Sequence, residues 1–443
     1  MSNYHNPINP NCRFNGMVFI CLVTILPLIA CSRASNNNYN ATEDKGEIAD
    51  PEEVGEMFSS GLHKPDSLIR SMTVEQKIGQ LLMFGWETKT AEPMADFIKE
   101  ANIGNIIIMG CNVTNPEQLQ KICNELQEAA VKYNNGIPLI ISVDQEGGHI
   151  NRIKDGVVVF PSQWQVCHTA TPKEAEQVAF HTGRQLMAMG INAILGPVLD
   201  INTNPASHLA AYKQCFSDDA LKVKEYGVSY VRGFKKAGII CTAKHYPGYG
   251  DEKPDPHLES NISRNTIETL QNREFVPFRA AIDEDVPMIM TAHIHMPNIQ
   301  PESEDGASAT VSPRLINFYL RGAENLGFNG VVITDDLSMK AVTSGLGTKD
   351  IVLGAIKSHV DILLLIGARG KQDQFIRIIK DALINNEITE STLDEAVERV
   401  LKLKMEYGLL GATPSKTAGD LETFVYTQEQ VALNAELAKR AAK

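Results

Sequence analysis

Beyond about residue 71 the chain alternates short, continuous apolar runs with stretches of helical periodicity. The runs are "LLMFGW" (81–86), "NIIIMGC" (105–111), "PLIISVD" (138–144), "AILGPVLDI" (193–201), "GIICTAKH" (238–245), "PMIMTAHI" (287–294), "GVVITDDL" (330–337) and "DILLLIG" (361–367). A strand covered by helices on both faces reads this way, unbroken and without in-and-out alternation. Eight such runs with helices between them predict an α/β fold, a (β/α)8 TIM-type barrel forming one domain over residues 66–410. After that the pattern stops. "LGATPSKTAGDLETFVYTQ" is linker-like and "EQVALNAELAKRAAK" is rich in helix formers, so 411–443 reads as a linker and terminal helix.

The amino terminus has a different pattern. Arg13 precedes an apolar run from Met17 to Cys31 that is short for a membrane span and is followed by the polar "SRASNNNYN". This predicts a signal peptide over residues 1–31. Its end, Leu28-Ile29-Ala30-Cys31, resembles a bacterial lipobox, in which the cysteine is lipidated and becomes the new amino terminus. An ordinary cleavage site with a chance cysteine is the competing reading. Residues 32–65 then form a polar tether, and the expected product is an exported lipoprotein on the periplasmic or extracellular side of a bacterial membrane.

Polar residues interrupt the apolar runs at one end. Asp144, Asp200, Lys244, His245, His293 and Asp335 each sit at the carboxyl end of a predicted strand, the barrel face that carries active sites. In "VDQEGGHINRI", Gly147 and Gly148 permit a tight turn that brings Asp144 and Arg152 to the rim, an acceptor and a donor suited to a hydroxyl-rich ligand, with a surface ion pair as the competing reading. In "KHYPGYGDEKPDPHLE" (244–259), Pro256 biases Asp255 toward extended geometry, so Asp255 and His257 project to the same side. A carboxylate beside an imidazole orients the ring and stabilises its cation, which suits general acid–base work. "GVVITDDLSM" places Asp335 and Asp336 side by side, and in a strand one faces the pocket while the other faces the wall. A carboxylate fixed at the barrel mouth is a candidate nucleophile. His293 is placed to contact a ligand or to support its neighbours.

Composition narrows the ligand. Across 443 residues, 54 acidic side chains against 41 basic ones give a net charge of −13, with no basic footprint for nucleic acid. Beyond the leader the cysteines are Cys111, Cys123, Cys167, Cys215 and Cys241; their number is odd, their spacing irregular, and no CxxC occurs. Neither a disulfide framework nor a zinc site is indicated, and most read as small buried hydrophobes.

Taken together, "SVDQEGG" with Arg152, "GPVLDIN", "KHYPGYGDEKPDPH", "MTAHI" and "LGFNGVVITDDLSM" resemble glycoside hydrolase family 3, in its β-N-acetylglucosaminidase branch, over roughly residues 70–410. The resemblance implies a retaining exo-β-N-acetylglucosaminidase acting on peptidoglycan-derived or other glycans. In that mechanism Asp335 forms a covalent glycosyl-enzyme, while His257, steered by Asp255, serves as acid and base. Asp144, Arg152, Lys244 and His245 match positions that hold the sugar, and no metal or organic cofactor is implied. Three departures stand out. Gln214 in "AYKQCFSDD" occupies the place of an arginine that touches substrate; His149 replaces the arginine after "EGG"; Pro256 and Tyr249 replace a small hydroxyl residue and a histidine. A β-glucosidase or β-xylosidase of the same family, and a sugar-binding lipoprotein without turnover, are the alternatives.

Overall fold

The structure, a computed structural model, describes residues 65–250, 261–304, 306–339, 342, 346–410 and 420–441. The expected signal peptide with Cys31, nearly all of the tether, the Asp255-Pro256-His257 stretch and most of the linker after residue 410 lie outside the described residues.

Eight parallel strands make one sheet: β1 (Leu82–Phe84), β2 (Asn105–Ile108), β3 (Ile140–Val143), β4 (Ala193–Ile194), β5 (Ile240–Tyr246), β6 (Met288–Thr291), β7 (Val331–Thr334) and β8 (Leu363–Leu365). Each pairs with its neighbour in sequence, and β8 returns to β1 through Leu82–Leu363 and its neighbours. The remaining seam is drawn together by the Ile333–Ile362 bridge and by Thr334 N–H donating to the Ile362 carbonyl at 3.0 Å. The result is the expected α/β barrel, nearly closed. One run differs from its prediction. Only the first two residues of 193–201 are ladder strand, because Pro197 has no N–H to give. The segment still follows β5, with Thr242 N–H on the Gly196 carbonyl (2.8 Å) and Lys244 N–H on that of Pro197 (3.0 Å).

The strand residues are buried on both faces, for two different reasons. Leu82, Phe84, Ile106, Ile108, Val332 and Leu365 pack outward against the helices, whereas Met83, Ile107, Ile140, Met290, Ile333 and Leu364 fill the barrel interior. Helices between the strands include Glu92–Ala101, Pro116–Tyr133, Pro172–Ala188, Ala220–Ala237 and Thr348–Lys357. The helix Pro172–Ala188 starts where its sequence dictates. Thr171 and Glu174 form a reciprocal capping box, and Pro172 occupies the first turn, where its missing N–H costs nothing.

The terminal helix Gln428–Ala441 lies on this layer. It buries Leu437, and Arg440 holds both oxygens of Glu174 at 2.9 and 3.0 Å. That arginine, followed by the Thr171 backbone, lowers the Glu174 carboxyl to about 2. Cys123, Cys215 and Cys241 are buried, Cys111 and Cys167 are partly so, and all five thiols are free.

The amino-terminal end of the barrel is closed by the helix Glu390–Glu406, whose Val400 and Leu403 join the interior cluster. From the same helix Lys404, fully buried, donates to Gln80 Oε1 (2.7 Å) and to the carbonyls of Gly104 (3.0 Å) and Pro138 (2.7 Å). Burial pushes its ammonium down to about 7. Lys404→Met removes the donor from two buried carbonyls and is expected to destabilise the fold by about 2 kcal/mol. The cost of burying the charge is fully present below pH 7 and is relieved as pH rises toward the unfolded value of about 10.4. The stability gap between the protein and the variant should therefore widen from pH 7 to 10 in denaturant titrations. A gap that narrows would contradict the assignment.

Candidate active site

At the carboxyl end of β3 the chain folds into a small ribbon, Gln145–Gly147 against Ile150–Asn151. Gly147 (φ +88°) and Gly148 (φ +58°) make its turn. A Cβ on Gly147 would stand 2.3 Å from the Pro161 carbonyl oxygen, and one on Gly148 would stand 2.6 Å from the Ser162 Cβ, so both conformation and space demand glycine. The turn returns Arg152 to Asp144, with Nη2 and Oδ2 3.0 Å apart.

That pair is one end of a longer chain of contacts. Lys244, on β5, extends its Nζ between Asp144 Oδ1 at 2.9 Å and Glu146 Oε1 at 2.6 Å. Glu146 Oε2 in turn accepts from Gln214 Nε2 at 2.9 Å. The side chains of Lys244 and Glu146 are only 4% and 3% exposed, so these charges answer to each other and not to water. Burial by itself would raise the Asp144 carboxyl, but Lys244 and Arg152 outweigh it and hold it well below the usual carboxylate range. Burial also disfavours the Lys244 ammonium, yet Asp144 and Glu146 keep it well above an ordinary lysine. Two acids and two bases thus form a fixed, neutral floor that displays donors and acceptors together.

His245 is held separately. Its Nδ1 lies 2.8 Å from Asp200 Oδ2, which also accepts the His245 backbone N–H at 3.1 Å, while Asp200 Oδ1 accepts the Tyr249 N–H at 2.7 Å. Burial opposes the charged ring, but Asp200, and Asp335 more weakly, raise its pKa. With Nδ1 committed, Nε2 is the nitrogen left for a ligand.

The adjacent acids after β7 are separated as their alternation requires. Asp336 accepts the N–H groups of Ser338 (3.0 Å) and Ile366 (2.9 Å), which ties it to the wall next to β8. Burial, only partly offset by those bonds, pushes its carboxyl up to about 6. Among the described residues, Asp335 receives only the Asp336 N–H, at 2.8 Å.

His293, read as a ligand contact or a support for its neighbours, makes supporting contacts in the structure. It is fully buried, with Nδ1 2.8 Å from Thr310 Oγ1 and Nε2 3.0 Å from the Asp336 carbonyl oxygen. From there it braces the turn carrying Asp335. Asp255 and His257 lie outside the described residues, which resume at Asn261–Ile262, paired with Ile294–His295 beyond β6.

Glu146 and Asp200 hold the site together, yet the residues alone assign neither a role. Asp200 carries the signal of a strand end, whereas Glu146 reads as part of a glycine turn. Among the described residues no group of three His, Cys, Asp or Glu side chains converges to hold a metal ion.

The sequence model described as "Glycosyl hydrolase family 3 N terminal domain" matches residues 73–403. The chain belongs to glycosyl hydrolase family 3. Among family relatives, the chain is 30% identical over 369 residues to the Beta-hexosaminidase A of Pseudoalteromonas piscicida, a match taking in 75% of this chain and 61% of that protein. With a Beta-hexosaminidase of Xylella fastidiosa (strain M12) it shares 30% over 272 residues, or 60% of this chain and 76% of the other. The solved family 3 β-N-acetylglucosaminidase from Paenibacillus sp. str. FPU-7 superposes with a TM-score of 0.77 at 33% identity, covering 84% of this chain and 69% of that one. The chain therefore spans less than two thirds of the first of these relatives.

The contrast between the two acids after β7 yields a pH test. An unfolded aspartate titrates near 3.9, so the cost of the buried Asp336 charge is absent below about pH 4 and complete above about pH 6. Stability should fall across that window. Asp336→Asn is expected to flatten the fall in Tm between pH 4 and 6.5, and an unchanged slope would place the titration elsewhere.

Proposed function

We propose that this chain is a retaining exo-β-N-acetylglucosaminidase, exported and held at a bacterial membrane by lipid on Cys31, that removes terminal N-acetylhexosamine from peptidoglycan-derived or other glycans. The observation that carries the reading is the placement of Asp335, a carboxylate with one backbone partner, at the same barrel end as the Asp144–Lys244–Glu146 floor. A floor of paired charges suits neutral hydroxyls, and a lightly engaged carboxylate suits attack. The names of the relatives favour hexosaminides over other sugars.

In this mechanism the floor and His245 Nε2 grip the terminal sugar, and Asp335 attacks its anomeric carbon. The glycosidic bond breaks as the new ester bond forms, and protonated His257, oriented by Asp255, gives its proton to the departing oxygen. His257, now neutral, takes a proton from water, whose oxygen attacks the same carbon and frees Asp335. Two inversions leave the configuration unchanged. A histidine thus fills one of the roles that paired carboxylates usually share.

The direct test uses para-nitrophenyl N-acetyl-β-glucosaminide, with the corresponding glucoside and xyloside as controls. Asp335→Asn should lower kcat by roughly a thousandfold or more. His257→Ala should lower it by about a hundredfold or more. The first product seen by NMR should be the β-anomer. Sugar binding without turnover by the unaltered protein would instead favour a binding lipoprotein. Anchoring is tested by Cys31→Ala in the full chain, which should move the protein from the membrane fraction to the soluble one; continued membrane association would remove the lipid anchor from the proposal.

A further inference from the structure

The two segments that meet on the site floor also meet again at the exposed surface. On the floor, Glu146 of the β3 ribbon accepts from Gln214 of the loop after β4. Three residues beyond Glu146 the ribbon presents His149, exposed, and two residues before Gln214 the loop presents Tyr212, 41% exposed. Their rings touch edge to face, with centroids 6.1 Å apart and planes at 78°. His208 supports Tyr212 from the other end of a short helix, at 4.8 Å. Beside them Lys213, exposed and in no ion pair among the described residues, lies over the Trp164 ring at 4.9 Å. The other aromatic partner of Trp164 is His168, stacked at 3.9 Å.

This composition is unusual for a solvated surface. Exposed aromatic rings held by ring contacts leave an apolar face in water, and their polar edges remain available for hydrogen bonds. A pyranose ring has the complementary form, a C–H face bordered by hydroxyls. Both segments carry departures of this chain from the family arginines it resembles, Gln214 and His149.

We infer that Tyr212 and His149, backed by His208 and flanked by Lys213, form a subsite for a second saccharide ring, adjoining the sugar held on the Asp144–Lys244–Glu146 floor. The inference rests on the proposed glycosidase reading for its first sugar, and Tyr212 and His149 take no part in the chemical step. A stacked ring of this kind contributes about tenfold in affinity.

The test compares a one-sugar and a three-sugar ligand. For Tyr212→Ala and for the double variant with His149→Ala, KM for triacetylchitotriose should rise about tenfold, while the inhibition constant of free N-acetylglucosamine, which fills the floor alone, stays within about twofold. Equal rises in both constants, or none in either, would overturn the subsite. A second readout needs no turnover. The chain has two tryptophans, and Trp86 is buried with its indole N–H on the Thr90 carbonyl, so Trp164 is the reporter of this surface. Titrating triacetylchitotriose into the protein carrying Trp86→Phe should change its fluorescence, with a Kd that Tyr212→Ala weakens about tenfold. Saturable, Tyr212-dependent binding without hydrolysis would support the subsite while refuting the glycosidase reading. Absence of binding, or binding indifferent to Tyr212, would refute the subsite whatever the enzyme does.

Discussion

Lys244 carries its charge where water hardly reaches, and most of the site is arranged around that constraint. An ammonium buried without a partner costs several kcal/mol, so its position requires carboxylates within contact distance. Asp144 and Glu146 meet the requirement from one ribbon, because the double-glycine turn lets that ribbon fold tightly against the Phe160–Ser162 backbone. Each acid then has a second task. Asp144 anchors Arg152 and Glu146 anchors Gln214, so one buried charge connects β3, β5 and the loop after β4. Groups fixed in this way need little rearrangement when a ligand arrives.

The remaining polar residues position the site without adding to that floor. Asp200 accepts two backbone N–H groups and orients a ring, which combines a structural turn with control of His245. His293 and Asp336 together secure the turn after β7. Burial lodges Asp336 in the wall and raises its carboxyl, while its neighbour Asp335 accepts only the Asp336 N–H among the described residues. Environment and not residue type makes the difference.

Much of this was legible in the chain because its signals are local. Unbroken apolar runs mark strands covered on both sides, and a polar residue closing such a run marks the barrel's carboxyl face. The arrival of Asp144 and Arg152 at one rim could also be read, since the two glycines and the turn lie within a few positions of each other. Gly196-Pro197 shows the limit of this approach. The apolar run continues through it, but the missing N–H ends the ladder after Ile194.

The sequence by itself determined the number of strands, the barrel end at which polar strand-end residues gather, and which residues stand there, since each follows from patterns a few residues long. Tertiary structure decided the partners. Lys244 meets an aspartate 100 positions away, Gln214 a glutamate 68 positions away, and His245 an aspartate 45 positions away. Those pairings exist only once the barrel brings its strand ends to one rim. The same assembly turned His293 inward, because a strand-end histidine can face the mouth or brace its neighbours, and only the packing around Thr310 and Asp336 chooses between them.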